Sequence, residues 1–154
     1  MNNIIVLDTG PLSMISNAKV TNANRDIKNW IKWQLAENVI VALPEIADYE
    51  LRRELLLYGR KASISTLDTF GNIFEFLPFT RETTLKAAAL WADVRQRGLP
   101  TADPAALNGD VLLAAQALGA PDFLKVPDAE VIVVTDNINH LSRFVKAKSW
   151  RELS

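Results

Sequence analysis

A chain of 154 residues that is 49% hydrophobic and 23% charged can bury an ordinary core, and its length fits one domain over 1–154. It contains no cysteine, which removes disulfides and thiolate chemistry and suits a cytoplasmic protein, while a single histidine, His140, argues against a multi-histidine zinc site. A formal net charge of −1 counts against tight nucleic-acid binding by charge alone, although an enzyme that holds phosphate through a metal and a few local cations escapes that objection.

No apolar run reaches the ~18–20 residues of a membrane span, and Met1-Asn2-Asn3 lacks the basic region that opens a secretory signal. Residues 3–7 are short, apolar and β-branched, as in a buried strand. Asp8-Thr9-Gly10-Pro11-Leu12 then reads as a strand-to-helix turn, with Pro11 at the first helical position and a short helix over 13–18. Ile27, Trp30, Ile31 and Leu35 are spaced as one face of a helix over 25–37. A second strand over 39–43 stops at Pro44, which opens a helix to about Tyr58, ended by Gly59. A helix over 63–71, capped by Ser63 or Ser65, leads to a third strand over 73–77. Thr80 starts a long helix to about Arg97. Residues 99–108 read as a loop, 110–118 as an Ala- and Leu-rich helix capped by Gly119, and 121–128 as a loop. A fourth strand over 131–134, a short helix over 139–145 and a brief edge strand near Ser149-Trp150 complete the chain. Strands alternating with helices argue for a three-layer α/β/α sandwich on a parallel sheet of four to five strands.

Chemistry-bearing residues concentrate at the ends of these elements. Asp8 closes the first apolar strand and Asp136 the last, and open α/β folds place their sites at the carboxyl ends of strands. Aspartate also caps helices, which is the plain alternative for both. Glu50 follows Ile46 and Ala47 by one turn and shares their inward side; a surface ion pair with Arg53 is the competing reading. Asp110 has Ala114, Ala117 and Leu118 as its i+4, i+7 and i+8 neighbours, and a carboxylate on an apolar stripe is costly unless paired or ligated. Its position after Asn108-Gly109 also fits a helix cap. Asp103, before Pro104, is a weaker candidate and a common turn signal. Carboxylates that converge raise one another's pKa and repel phosphate, so the cluster implies a hard divalent cation, Mg²⁺ or Mn²⁺. Ions held this way activate water and stabilise charge on a phosphodiester.

The segment Ile5-Val6-Leu7-Asp8-Thr9-Gly10-Pro11-Leu12 resembles the opening motif of PIN domains. Val41-Ala42-Leu43-Pro44 with Glu50-Leu51-Arg52 is similar to their second motif. Asn108-Gly109-Asp110 with the following run to Leu118 is similar to the third, and Val133-Val134-Thr135-Asp136-Asn137 with His140-Leu141 to the fourth. The motifs occur in order over nearly the whole chain, whose length resembles VapC-type toxins of bacterial toxin–antitoxin pairs. The resemblance implies a metal-dependent ribonuclease with Asp8, Glu50 and Asp110 as core metal ligands, an RNA substrate and an antitoxin partner, and it allows a homodimer. At the fourth position many relatives carry the acid two residues after the threonine, which here is Asn137, whereas Asp136 follows it directly. A haloacid-dehalogenase-type phosphatase needs a second aspartate where Gly10 stands. A non-catalytic PIN-like module that binds protein or RNA is the alternative to the nuclease. The tryptophans 30, 33, 91 and 150 read as core or interface anchors more than as base-stacking platforms, and Arg52, Arg53, Arg60 and Lys61 form the densest basic stretch.

Overall fold

A computed structural model describes residues 3–98 and 104–153. Asp103 and the start of the 99–108 segment lie outside the described residues. The elements run β1 (Asn3–Leu7), α1 (Thr9–Ser16), α2 (Asn22–Ala36), β2 (Ile40–Pro44), α3 (Glu45–Leu57), α4 (Lys61–Ile73), β3 (Glu75–Leu77), α5 (Arg81–Gln96), α6 (Pro104–Phe123), β4 (Glu130–Val134), α7 (Ile138–Leu141) and β5 (Ala147–Lys148), with a 3-10 turn over Trp150–Leu153. The strands form one parallel sheet in the order β3-β2-β1-β4-β5. Strand order reverses at β1, so the crevice between the carboxyl ends of β1 and β4 is the topological switch point.

The α/β/α sandwich anticipated from the alternating elements is present, and β1 shows how it is built. Side chains alternate faces along a strand. Ile5 and Leu7 join Val41 and Leu43 under α1, α2, α3 and α4, while Ile4 and Val6 join Ala42 and Val133 under α6 and α7. Both faces are dry, which is why the strand is apolar throughout. A third cluster locks α5 (Ala87, Val94) onto α6 (Leu107, Val111, Ala115). Trp30 and Trp150 are buried with ring centroids 6.0 Å apart, whereas Trp33 and Trp91 are exposed. The core half of the anchor reading fits the first pair, while the second pair lies at the surface. No helix of the described residues is long and apolar enough to cross a membrane.

Several boundaries differ from the sequence expectation for identifiable reasons. The first helix starts at Thr9 rather than 13, because Asp8 already serves as its N-cap; Pro11 is therefore its third residue. Thr21 caps α2 through Asn24 N–H, which moves its start ahead of 25. Pro44 is the last residue of β2 and the cap position of α3. Ser63 does not cap α4: it lies inside the helix, buried, with its hydroxyl accepting from Ala18 N–H at 3.4 Å. Ser65 also lies inside α4.

The largest correction is α6, which spans twenty residues through Gly109, Gly119 and Pro121. The sequence instead suggests a helix that starts at Asp110 after Gly109, ends at the Gly119 cap and gives way to a loop from Pro121. Mid-helix glycine costs only about 1 kcal/mol, and α6 buries Leu113, Ala117 and Ala120 against the sheet and Val111 and Ala115 against α5. Packing outweighs the local signal. The final edge strand falls at Ala147–Lys148, leaving Trp150 to the 3-10 turn, and α7 ends at Leu141 rather than 145.

Candidate functional site

Acids placed by three elements, β1, α3 and α6, line the switch-point crevice. Asp8 is placed by β1, whose next backbone N–H donates to Val134 O at 3.0 Å and continues the ladder to β4. Its Oδ1 accepts from Thr9 N–H at 2.7 Å and its Oδ2 from Thr135 Oγ1 at 2.7 Å. The parallel register pairs Leu7 with Val134, so the next positions, Asp8 and Thr135, stand side by side. Thr135 is fully buried, and its hydroxyl also accepts from Asn137 N–H at 2.8 Å. Capping and site roles therefore do not compete at Asp8: one oxygen caps α1 while the other is held by the neighbouring strand.

Glu50 projects from α3 between its buried residues Ile46 and Ala47. It receives Thr9 Oγ1 at 3.0 Å, which ties it to the residue after Asp8. Arg53 instead lies over the Tyr49 ring at 5.1 Å, and no ion pair joins it to Glu50 among the described residues. The N-terminus of α3 has no side-chain cap of its own. Gln116, buried on α6, fills that role from seventy residues away, accepting from Ile46 N–H at 3.1 Å while donating to Leu77 O at 2.6 Å. This polar residue in an apolar helix fixes α3, and with it Glu50, relative to α6 and the end of β3.

Asp110 lies in the second turn of α6 and not at its start, so it is no cap. Its Oδ2 is 4.0 Å from His140 Nδ1 on α7. Ala114 and Ala117 are buried as expected, but Leu118 faces outward at 43% exposure. Gly109 makes room for Glu50: a methyl there would stand 3.1 Å from Glu50 Oε2. Burial pushes the Asp8 carboxyl above its ordinary value, against the hydrogen bonds from Thr135 and Thr9, with the Asp136 charge adding to the rise. Asp110 is also pushed up by burial, His140 and Arg143 opposing and the Asp8 and Glu50 charges adding.

Asp8, Glu50 and Asp110 line one open cleft of about 720 Å³, rimmed by Thr9, Arg53 and Tyr58. The fourth position splits. Asn137 lines the cleft, whereas Asp136 is exposed and turned aside, its Oδ2 only 2.6 Å from where a Gly10 methyl would be. Among the described residues no three carboxylates or histidines stand close enough to hold an ion as placed. Thr9, Gln116 and Gly109 are the contributors that sequence reasoning missed. A polar residue in a buried helix was a readable signal for Gln116; nothing local marked the other two.

No family model matches the sequence, and no curated protein matches it significantly. Solved structures do match over nearly the full length. A chain of VapBC2 from Rickettsia felis, bound to a DNA fragment from their promoter, is 23% identical over 96% of this chain and 98% of that one, with a TM-score of 0.70. VapBC-1 from nontypeable Haemophilus influenzae is 16% identical over 96% and 98%, with a TM-score of 0.65. DNA-bound VapBC from Salmonella typhimurium is 18% identical over 97% and 99%, with a TM-score of 0.63. At these identities the likeness establishes the fold, and it is the VapC-like PIN fold that the ordered motifs implied.

Proposed function

We propose that the protein is a Mg²⁺- or Mn²⁺-dependent endoribonuclease and the toxin of a toxin–antitoxin pair. The observation that carries the reading is the convergence of Asp8, Glu50 and Asp110 on one cleft at the switch point of a VapC-like PIN fold. The donors are all hard oxygens. Mg²⁺ keeps several of its own waters and takes only one or two carboxylates directly. The donor set therefore fits such an ion without the closed cage that this arrangement lacks. Asp8, Glu50 and Asp110 would hold it, with Asn137 or Asp136 as the fourth contributor. When bound, the ion supplies Lewis-acid stabilisation of charge on the phosphodiester and activation of water.

The remaining work belongs to the chain itself. Thr135 and the Thr9 amide fix the Asp8 oxygens, and the Thr9 hydroxyl orients Glu50. Arg143 brings positive charge beside Asp110, and His140 Nδ1 stands 4.0 Å from its Oδ2. RNA cleavage followed with Mn²⁺ and with EDTA, in wild type and Asp8→Asn, tests the reading. Cleavage that survives EDTA, or that Asp8→Asn leaves intact, rejects it. The VapBC complexes among the structural neighbours support an antitoxin partner, and exposed Leu56, Leu57 and Tyr58 at the end of α3 offer it an apolar surface beside the cleft. Growth arrest on expression, and its rescue by co-expression of any small open reading frame found directly upstream of the gene, tests the pairing. A non-catalytic PIN-like binding module is the second reading, favoured by an amide rather than an acid where Asn137 lines the cleft; RNA binding without cleavage in Mn²⁺ would select it.

A further inference from the structure

The basic stretch of Arg52, Arg53, Arg60 and Lys61 does not act as a unit. Arg52 is committed to Asp48 at 2.9 Å and Asp68 at 2.8 Å. Arg53 lines the acidic cleft. Arg60 and Lys61 turn to a separate pocket of about 430 Å³ between α1, the end of α3 and the start of α4, lined also by Ser13, Asn17, Lys19 and Ser63. No acid lines it, in a chain with 17 cations against 18 acids. A further cation stands at its edge, where Lys28 Nζ donates to Asn17 O at 3.0 Å. Arg60, Lys61 and Lys19 form no ion pair among the described residues. Ser63 is 92% buried (8% exposed), and its hydroxyl accepts from Ala18 N–H but finds no acceptor for its own proton among the described residues. The first turn of α4 has no side-chain cap; its Lys61 N–H is taken by Gly59 O at 3.0 Å, while the amides of Ala62 and Ser63, which line the pocket, have no acceptor among the described residues.

We infer that this pocket is a second phosphate subsite, which takes a backbone phosphate of the RNA strand whose scissile phosphate lies in the acidic cleft. The inference rests on the ribonuclease reading for its ligand. Charge concentrated against the chain's overall balance, a hydroxyl proton without an acceptor and uncapped amides together call for a phosphate oxygen. The two sites share one turn. Tyr58 rims the cleft and Arg60 lines the pocket, with only Gly59 between them at φ 63°. The acidic cleft repels a polyanion until a cation is present, so the neighbouring cations supply the grip that the cleft lacks.

The test is binding of a 5′-labelled single-stranded RNA in EDTA, read by fluorescence anisotropy across a salt series. The variants are Arg60→Ala/Lys61→Ala and, on other elements, Lys19→Gln/Lys28→Gln. Circular dichroism checks that each folds. Each pair should weaken binding about tenfold near 0.1 M salt and flatten the slope of log K against log salt by up to roughly 0.7, the share of one neutralised phosphate. Unchanged affinity and slope in both variants overturn the proposal. So does a loss seen only with poly-glutamate, or a pocket that takes inorganic phosphate while RNA binding ignores both variants. The two readings fail separately. Wild type that binds RNA through these residues yet cuts nothing in Mn²⁺ ends the nuclease reading and keeps the subsite. Cleavage of long RNA with KM unaltered by Arg60→Ala/Lys61→Ala does the reverse.

Discussion

Strands β1 and β4 lie side by side in parallel register, and each leads into an aspartate, yet the two carboxylates are held differently. Asp8 has a donor on each oxygen, one from its own helix and one from a buried threonine on the neighbouring strand. Asp136 is one residue further on, exposed, and accepts no hydrogen bond among the described residues; its carboxylate rests against Gly10. A strand end gives a carboxylate its address. Its orientation comes from the residue that register places beside it, and register places Thr135, not Asp136, beside Asp8.

That contrast can be broken most forcefully by activity. Asp8→Asn should lower RNA cleavage by about 10³-fold, the scale of losing a group that stabilises the reacting charge, whereas Asp136→Asn should cost ~10-fold or less by the same scale. Initial rates in Mn²⁺ decide this, and equal losses would erase the distinction. Next in size is Thr135→Val, which keeps the shape but leaves Asp8 Oδ2 without its donor. Hydrogen bonds to charged groups contribute about 1.5–3 kcal/mol, so the denaturation midpoint should fall accordingly; an unchanged midpoint would mean that Thr135 does not anchor Asp8. Gly10→Ala should alter stability by only about 0.5 kcal/mol, because the atom it meets is the mobile end of Asp136. If it nevertheless abolishes cleavage, Asp136 matters more than its exposure indicates.

The gentlest probe is pH. Burial raises Asp8 and Asp110 above their ordinary value of 3.8, so the folded chain binds protons more tightly there than the unfolded one. The native state then carries more protons than the unfolded state from about that value up to the raised folded values, and stability of the metal-free protein falls as pH rises through this window. Above it the penalty is fully present. Mn²⁺ should restore more stability at pH 7 than at pH 5, measured by thermal melting. A metal-free protein whose stability rises through that window would contradict the shifts.

Much of the site was legible because its signals are local. An apolar strand that ends in Asp8 and an acid among the alanines of α6 can be read from order alone. Periodicity put Glu50 on the inward side of α3 but left a surface ion pair with Arg53 as an equal reading; the resemblance to the second PIN motif favoured the site, and the Thr9 hydroxyl now explains its direction. The extent of α6 was hidden because Gly109, Gly119 and Pro121 are local breakers, and only the packing of both its faces overrides them. The basic stretch misled for a related reason. Neighbours in sequence on a helix and the turn after it point to different surroundings, so Arg52, Arg53 and Arg60 end in three different places.

By itself the sequence determined the alternation of strands and helices, the burial of β1 on both faces and the acids at element ends, since hydrophobic period and turn chemistry act over a few residues. Tertiary structure alone decided which groups meet. Thr135 reaches Asp8 through strand register, and Gln116 caps α3 across seventy residues. Asn137 enters the cleft while Asp136 turns to Gly10. Such contacts depend on the relative placement of whole elements, and that placement follows from packing the sheet and helices together, which no local stretch encodes.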